Sequence, residues 1–256
     1  MQDILEEALT SIKQHNKAAL CIVTETIGSG PGKAGSKMLV YSDGSSKGTI
    51  GGGAVELEVI GLAQKQLSLG KPIMVSFNLS EDLKMSCGGK MQVYIEPLGI
   101  IPRLIVFGAG HVGQALAKLA PGLGFSTLVI DPREDLIATI NGPGSKGIVS
   151  PYLTALQDLI FDENIYIVIT TPNHATDETL LIQCATQQYA YLGMIGSRRK
   201  VEEIKRRAIE TATIPAHILP LIDMLIGIPI ATETPAEIAI SILAKLIDVK
   251  NKKLST

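Results

Sequence analysis

Cysteine is scarce in this chain of 256 residues, which contains only Cys21, Cys87 and Cys184. The number is odd and no two of them form a CxxC pair, so the sequence favours a reducing compartment and predicts a cytoplasmic protein. Cys21 and Cys184 lie in apolar or helical patterns that are typical of unreactive core thiols. Cys87 differs because it lies in a polar loop flanked by glycines.

The chain also lacks an excess of charge of either sign. Its formal net charge is −2 and it has no long run of Lys or Arg, so we expect neither a nucleic-acid partner nor an electrostatic hold on membranes. The first residues have neither the basic start nor the apolar core of a signal peptide. The most apolar window, residues 217–231, is interrupted by Asp223 and two prolines, whereas a membrane helix needs roughly 20 apolar residues. This window therefore predicts buried core and loop, and no membrane partner.

Two prolines and a glycine between residues 97 and 102 separate two halves of different pattern. The length fits two modest domains or one large one, and the chain shows no internal repeat and no low-complexity tract. We predict an α/β protein with an N-terminal α+β domain over residues 1–99 and a C-terminal Rossmann-type domain with a parallel sheet over residues 100–256.

Hydrophobic periodicity predicts the elements of each half. In the first half we expect helices over 3–15 and 54–69, strands over 18–25, 73–77 and 91–95, and a hairpin of strands 38–41 and 48–50. In the second half we expect strands over 104–107, 127–130, 166–170 and 189–194, and helices over 112–119 and about 177–187. The sequence TPAE at 234–237 predicts the start of a last helix, because it is a capping box with proline at the first helical position.

A glycine turn follows the first strand of the second half, with the sequence GAGHVG at residues 108–113. In a dinucleotide-binding turn, Gly108 would allow the tight bend, Gly110 would let a pyrophosphate approach the backbone, and Gly113 would let helix and strand pack closely. The N-terminus of the helix that follows would offer free N–H groups and a positive dipole to phosphate.

Asp131 ends the next strand, eighteen residues after Gly113, near the spacing of an acid that binds a ribose hydroxyl. Arg133 follows two residues later and could meet a ribose phosphate, so both NAD and NADP stay open. A Rossmann fold whose site is vestigial, or that binds another ligand, is the alternative.

Three glycine-rich loops stand out in the first half. Residues 28–37 lack the spacing of a P-loop and could bind an anion or form a flexible surface loop. Gly51, Gly52 and Gly53 precede a helix, where either a ligand or a tight turn could require three glycines. In the third loop, Cys87 precedes two glycines and could ligate a metal or carry sulfur, although one cysteine is weak evidence for a structural metal site.

Further short motifs follow one another along the chain. In the first half they are GSxP at 28–31, GxKM at 35–38, DG at 43–44, GTIGGGxxE at 48–56, CGG at 87–89 and IEPL at 95–98. In the second half they are GAGHV at 108–112, DPR at 131–133, HxxD at 174–177, GMIGSRRK at 193–200 and ETPxEIA at 233–239. Their order and joint presence resemble the xanthine dehydrogenase accessory factor family, also called XdhC/CoxI, over nearly the whole chain.

The resemblance implies a helper that binds the molybdenum cofactor (molybdopterin), supports its sulfuration and delivers it to a molybdenum hydroxylase such as xanthine dehydrogenase. It also implies a cysteine desulfurase as a second partner and a homodimer, to which an exposed apolar stretch near residues 219–230 would contribute. The cofactor is a pterin with a phosphate and a sulfur-rich metal centre. Glycine loops suit the phosphate and a thiol suits the metal centre, so we nominate Cys87 as a catalytic and metal-binding residue. The cofactor-binding residues that we nominate are Gly51, Gly52, Gly53, Gly108, Gly110, His111, Gly113, Asp131, Gly196 and Ser197.

Two positions depart from the family pattern. Gly32 stands where an arginine is expected, with Lys33 beside it. Residues 227–232 read GIPIAT where a sequence like GLDIGA is expected, and the missing acid and glycine weaken the case for a ligand role of that segment.

Two other functions are open to the same residues. An NAD(P)-dependent oxidoreductase would use His111, His174 and Asp177 as acid–base groups, although the last two could simply cap the helix that follows them. An interaction protein would use the Rossmann half only as a scaffold. The catalytic hydroxylase itself is excluded, because the chain is far too short and its three cysteines cannot supply iron–sulfur clusters that need four ligands each.

Overall fold

The structure is a computed structural model that describes residues 2–13, 16–80 and 88–255. The chain divides into two compact units, Met1–Ile100 and Ile101–Thr256. None of the helices in these described ranges combines the length and the apolarity needed to cross a membrane.

The first unit is an antiparallel sheet with a helix on each face. Its elements are α1 (Gln2–Lys13), β1 (Ala18–Ile27), β2 (Lys37–Tyr41), β3 (Ser46–Gly48), α2 (Ala54–Leu69), β4 (Ile73–Asn78) and β5 (Lys90–Leu98). The strand order is β3-β2-β1-β5-β4, with antiparallel neighbours throughout. Cys21 and Val23 of β1 face α2, whereas Ala18 and Leu20 face α1. Because side chains alternate along a strand, the apolar run of β1 contributes to both cores.

The second unit is a mostly parallel sheet with helices on both faces. Its first elements are β6 (Arg103–Phe107), α3 (His111–Leu119), β7 (Ser126–Asp131), α4 (Glu134–Ile137), β8 (Asn141–Gly142) and β9 (Ser145–Val149). They are followed by α5 (Tyr152–Gln157), β10 (Ile165–Ile169), α6 (His174–Ala185), β11 (Tyr191–Met194), α7 (Arg198–Thr211) and α8 (Pro235–Ser255). The strand order is β11-β10-β6-β7-β9-β8, and β8 runs antiparallel to β9 while the other pairs are parallel.

Strand β6 is the centre of this second sheet. Leu104 and Val106 pack with α3 and α8, whereas Ile105 and Phe107 pack with α6 and α7, so both faces of the strand are buried. β6 lies between β7 and β10. The strands that follow β6 in the chain are therefore first added on one side of it, as β7 to β9, and then on the other side, as β10 and β11. In open α/β sheets, ligands bind at such a switch point, beside the carboxyl ends of the two diverging strands.

The predicted class, an α/β chain with a Rossmann-type parallel sheet after an α+β half, is confirmed. The helix predicted over 54–69 has those bounds as α2, and it ends at Gly70, whose left-handed backbone terminates the helix. The capping box of α8 is also present, because Glu237 N–H donates to Thr234 Oγ1 at 3.3 Å and Thr234 N–H donates to Glu237 Oε2 at 3.0 Å.

Several elements differ from the prediction. The second hairpin strand lies at Ser46–Gly48 and not at 48–50, because the Ile50 N–H donates to the Glu56 carboxylate and not to a strand. The prediction missed α4, α5, α7 and the β8–β9 hairpin. Helix α7 was missed because its sequence is mostly charged, with a narrow buried face formed by Lys200, Val201, Ile204 and Ala208.

Residues 219–230 contain both buried and exposed apolar side chains, so the segment is in part the buried core and loop predicted for this window and in part the exposed apolar stretch expected there. The buried apolar residues are Leu219, Ile222 and Met224, and the exposed ones include Leu221, Leu225 and Ile230. The cause is Asp223, whose N–H donates to Leu192 O and whose carbonyl accepts from Met194 N–H, so that the segment lies along the edge of β11.

Candidate functional site

The glycine turn connects β6 to α3 and depends on two of its glycines for packing. Gly108 has a φ of +118°, and a Cβ there would overlap the Thr170 carbonyl in the loop after β10. A Cβ at Gly113 would overlap the Gly108 carbonyl. Both positions therefore exclude a side chain, because backbone atoms of the turn and of the neighbouring loop occupy that space.

The middle glycine has the opposite surroundings. A Cβ at Gly110 would meet nothing within 4 Å among the residues that the structure describes, and its φ of −65° suits any residue. Gly110 is the N-cap of α3 and supplies no side-chain acceptor, and no acceptor in the described residues bonds the N–H groups of His111, Val112 or Gly113. The His111 side chain is exposed. The turn thus presents free donors and the positive end of a helix to open space, as an anion site requires.

Asp131 lies at the end of β7, beside the turn, and its carboxylate is fully buried. Its Oδ2 accepts from Ala109 N–H at 2.8 Å and from Tyr152 OH at 3.0 Å. Arg133 donates its backbone N–H and its Nε to Oδ1 at 3.0 and 2.8 Å, and its Nη2 to Oδ2 at 2.7 Å. The acid that the sequence nominated for a ribose hydroxyl is therefore engaged by the protein itself.

These contacts shift the ionisation of the three side chains together. Burial alone would raise the pKa of Asp131, but the hydrogen bonds from Arg133, Ala109 and Tyr152 outweigh it and lower this pKa to about 2. Burial and the adjacent carboxylate raise the pKa of Tyr152, and the hydrogen bond to Asp131 raises that of Arg133. The acid and the arginine thus form a stable ion pair at neutral pH, although 42% of the Arg133 side chain stays exposed.

The predicted catalytic pair, His174 and Asp177, lies at the start of α6. Asp177 Oδ1 accepts from the N–H and the hydroxyl of Thr171 at 3.1 and 2.6 Å, and Oδ2 accepts from Lys200 Nζ at 2.6 Å. His174 exposes 82% of its side chain, and its Nδ1 lies 4.0 Å from Asp177 Oδ2, beyond hydrogen-bond distance. Neither residue caps the helix, since the side chain of Asn173 accepts the Ala175 N–H. Asp177 is a buried counter-ion of Lys200.

Sequence reasoning missed Lys200 as a member of this site. The signal was its spacing, because Lys200, Val201, Ile204 and Ala208 recur on one helical face and place the lysine toward the core. Ser197 is the N-cap of α7 and accepts the Lys200 N–H at 3.3 Å. A Cβ at Gly196 would lie 3.3 Å from Lys200 Cδ. Gly196 and Ser197 therefore shape the loop after β11, and a cleft of about 500 Å³ lies between His174, Ser197 and Arg207.

The glycine loops of the first unit meet at one end of its sheet. A Cβ at Gly32 would overlap the Ile50 carbonyl, and a Cβ at Gly51 would come within 2.5 Å of Pro31 and Gly32 backbone atoms. The loop after β1 and the loop before α2 are therefore in direct backbone contact. The backbone of Gly89 closes against the same loop after β1, since a Cβ there would lie 2.5 Å from the Ser29 carbonyl.

Glu56 holds the loop before α2 in place. One oxygen of its carboxylate, Oε1, accepts from the Thr49 hydroxyl, from Ile50 N–H at 3.0 Å and from Gly52 N–H at 2.8 Å. Burial opposes the charged form, but these donors outweigh it and lower the pKa of Glu56. Gly51 N–H is also engaged, because it donates to Thr49 Oγ1 at 3.0 Å. Of the three glycines of this loop that we nominated for cofactor binding, two thus donate their N–H groups to acceptors of the first unit itself.

Cys87, the nominated catalytic and metal-binding residue, lies outside the described residues, so its role stays a prediction. In the part of the chain that the structure does describe, no three His, Cys, Asp or Glu side chains are grouped as a metal site. The described cysteines, Cys21 and Cys184, are buried, and burial raises the pKa of each thiol to about 12. They are therefore unreactive core thiols, as the sequence indicated.

Comparison with known protein families agrees with this arrangement of two halves. Residues 104–246 match the family model described as the XdhC Rossmann domain, and residues 11–78 match the model of the XdhC and CoxI family. The chain belongs to the XdhC/CoxI family. The match of the Rossmann model begins at β6 and ends within α8, so it contains the glycine turn, Asp131 and the loops after β10 and β11.

Two curated relatives and one solved structure are similar to this XdhC/CoxI chain. It is 36% identical over 255 residues to the uncharacterized protein YqeB of Escherichia coli K12, which covers 97% of the chain and 46% of YqeB. It is 27% identical over 161 residues to a protein of Bacillus subtilis 168 described as a probable xanthine dehydrogenase subunit, which covers 62% of the chain and 46% of that protein. The chain thus spans about half the length of either relative. A solved structure described as a xanthine dehydrogenase from Bacillus halodurans shares the fold, with a TM-score of 0.52, 21% identity and 96% of both chains covered.

The departure from the XdhC/CoxI pattern at Gly32 has a steric basis. Gly32 is buried, and its missing side chain is what allows the Ile50 carbonyl to approach. An arginine at this position would require the two loops to separate, so the two glycine loops of this chain pack more closely than that residue would allow.

Proposed function

We propose that this chain is an accessory factor that binds the molybdenum cofactor and supports its sulfuration and insertion into a molybdenum hydroxylase of the xanthine dehydrogenase type. Membership of the XdhC/CoxI family supports an accessory role. So does similarity to a protein described as a probable xanthine dehydrogenase subunit. In this proposal the chain holds the cofactor and passes it on, and the hydroxylase is the partner that receives it.

The observation that carries the proposal is the open N-terminus of α3. Gly108 and Gly113 close the turn sterically, while Gly110 faces open space and the N–H groups of residues 111–113 have no acceptor in the described chain. A phosphate is the ligand that such a turn binds best, because several N–H groups and the helix dipole act on it together. The cofactor is a phosphorylated pterin and so brings the required group.

The first unit, taken by itself, has candidate ligand contacts of its own. Gly52 and Gly88 lie at the clustered loops, and a Cβ at either position would meet none of the described residues within 4 Å. When bound, the cofactor supplies a sulfur-rich molybdenum centre, and Cys87, which directly precedes Gly88, is the thiol that we assign to it. Glu56 positions the loop that carries Gly52.

Hydride transfer by a nicotinamide cofactor has less support. That reaction would use Asp131 for the ribose and His174 with Asp177 for proton transfer. Asp131 is saturated by its own neighbours, and Asp177 is paired with Lys200 and not with His174. We therefore propose no second function.

Native mass spectrometry with metal analysis tests the proposal directly. The chain is purified from cells that make the cofactor, and we expect a bound species with the mass of the phosphorylated pterin together with molybdenum. A bound dinucleotide would favour the oxidoreductase instead. The absence of any ligand, both as purified and after incubation with isolated cofactor, would contradict the proposal.

Two matched glycine variants test whether the turn holds the ligand. Gly110 and Gly122 both lie in the second unit, and a side chain at either would meet nothing within 4 Å. Gly110→Leu is expected to fold and to lose the ligand, because the side chain fills the space in front of the α3 N-terminus, whereas Gly122→Leu is expected to retain it. Equal retention by the two variants would exclude the turn as the phosphate site. Cys87→Ser is expected to retain the phosphorylated pterin but to lose sulfuration of its metal centre.

A further inference from the structure

The carboxylate of Asp131 receives more donors than it has positions to accept them. Five hydrogen bonds reach its two oxygens, from Ala109 N–H, from the backbone and guanidinium of Arg133, and from the Tyr152 hydroxyl. An ionised carboxylate offers about four lone-pair positions. Because the side chain is also fully buried, Asp131 has no acceptor position left for a ligand.

We infer that Asp131 is a positioning residue that braces the glycine turn, and that the ligand of the turn is a phosphate ester recognised without a ribose diol. The inference rests on the proposed function for the phosphate and adds how the rest of the ligand is recognised. In dinucleotide-binding domains, the acid at this position accepts a hydrogen bond from the ribose 2′-hydroxyl. Here it holds the Ala109 N–H, so it acts on the ligand only through the backbone that it fixes.

Two side chains keep this carboxylate occupied. Arg133 is bidentate, with Nε 2.8 Å from Oδ1 and Nη2 2.7 Å from Oδ2, and charge-assisted pairs of this kind are the stronger hydrogen bonds in proteins. Tyr152 reaches Oδ2 from the first residue of α5. A ribose hydroxyl would have to displace one of these donors, and replacing the charged donor by a neutral one weakens the bond.

ADP and 2′-deoxy-ADP are matched probes, because they differ only in the hydroxyl that such an acid would bind. Their affinities for the whole chain are measured by calorimetric titration. We expect them to bind equally, within about twofold, because no position of Asp131 is free to accept the hydroxyl. A preference of about tenfold or more for ADP would overturn the inference, since that is the size of effect expected of a hydrogen bond to a buried charged acceptor.

A double variant is designed to release the acid. Arg133→Met with Tyr152→Phe removes three of the five donors and leaves about two acceptor positions open. This variant is expected to prefer ADP over 2′-deoxy-ADP by about tenfold, a gain that misfolded protein cannot produce. If the double variant does not fold, Arg133→Met alone leaves three donors and about one open acceptor position, and it is expected to show the same preference at smaller size. Arg198→Met, at an exposed arginine of α7, is the matched control and is expected to show none.

The outcomes separate this inference from the proposed function. A folded releasing variant without a preference for ADP would overturn the inference, even if the native chain carries the phosphorylated pterin. Conversely, a native chain that carries no phosphate ligand would contradict the proposed function, while the preference gained by the releasing variant would still assign Asp131 its bracing role.

Discussion

Lys200 Nζ lies 2.6 Å from Asp177 Oδ2, and both side chains are buried, with 10% and 1% of their surface exposed. The lysine also donates to the Ile195 carbonyl at 3.3 Å, and Asp177 accepts from the N–H and the hydroxyl of Thr171. The pair therefore joins the loop after β10 to the loop after β11, at the edge of the sheet where Rossmann-type domains bind ligands. Its role here is to fix these two loops.

We predict that Lys200→Met destabilises the chain strongly. The change leaves the Asp177 carboxylate buried without its counter-ion, which typically costs about 3–5 kcal/mol. The free energy of unfolding is measured by urea titration at neutral pH. Arg199→Met is the matched control, because Arg199 exposes 90% of its side chain and makes only an exposed pair with Glu203, so its loss is expected to stay below about 1 kcal/mol.

A second variant distinguishes the loss of the ion pair from the loss of side-chain packing. Adding Asp177→Asn to Lys200→Met removes the unpaired charge while keeping an oxygen that can accept from Thr171. The double variant is expected to recover most of the stability. A double variant as unstable as Lys200→Met would mean that the lysine acts through packing and not through its charge.

The second prediction concerns the stability that the chain loses at acidic pH. Folding lowers the pKa of Asp131 from 3.8 to about 2, so its contribution is complete above about pH 4 and is lost as the pH falls through this window. Since one pKa unit corresponds to about 1.4 kcal/mol, the full contribution is about 2 kcal/mol, of which about 1 kcal/mol disappears between pH 5 and pH 3. The stability difference between the native chain and Asp131→Asn, measured by urea titration, is expected to shrink by that amount. A constant difference over this range would show that Asp131 ionises normally in the folded chain.

The third prediction is that alanine has different effects on stability at two positions of the glycine turn. Gly113 lies inside α3, where helix propensity alone would make alanine stabilising by about 1 kcal/mol. The Gly108 carbonyl occupies the space of its Cβ, so we expect Gly113→Ala to destabilise by about 1–3 kcal/mol. Gly110→Ala has open space and is expected to be neutral or stabilising by about 0.5 kcal/mol. Thermal unfolding checks both, and an equal effect at the two positions would contradict the steric account.

The sequence allowed the glycine turn to be predicted because its signals are local. A strand, three glycines in fixed spacing and a helix all lie between residues 103 and 119, and each is determined by short-range backbone and periodicity rules. The bounds of α2 were predictable for the same reason, since Gly53 and Gly70 flank its periodic apolar face.

The state of the acidic side chains was not predictable in this way. Tyr152 reaches Asp131 from 21 residues away, and Lys200 reaches Asp177 from 23 residues away, so both partners depend on how the helices return to the sheet. The position of an acid at a strand end is a local property, but whether its lone pairs are free is a tertiary one. Residues 131 and 177 therefore lie where the sequence placed them, at the edge of the sheet, with their acceptor positions already engaged.

The last prediction concerns the glycine loop of the first unit. Glu56 Oε1 accepts three donors from residues 49–52, so Glu56→Ala is expected to release this loop and to cost about 1–3 kcal/mol of stability. Hydrogen exchange of the Ile50 and Gly52 amides is expected to accelerate, because these N–H groups lose their acceptor. Glu56→Gln keeps a neutral oxygen as an acceptor, so its exchange rates are expected to lie between those of the native chain and of Glu56→Ala. Glu58→Ala changes an exposed acid of the same helix and should leave both amides protected. Unchanged protection in Glu56→Ala would mean that the backbone contact between Gly51 and Gly32 is sufficient to hold the loop.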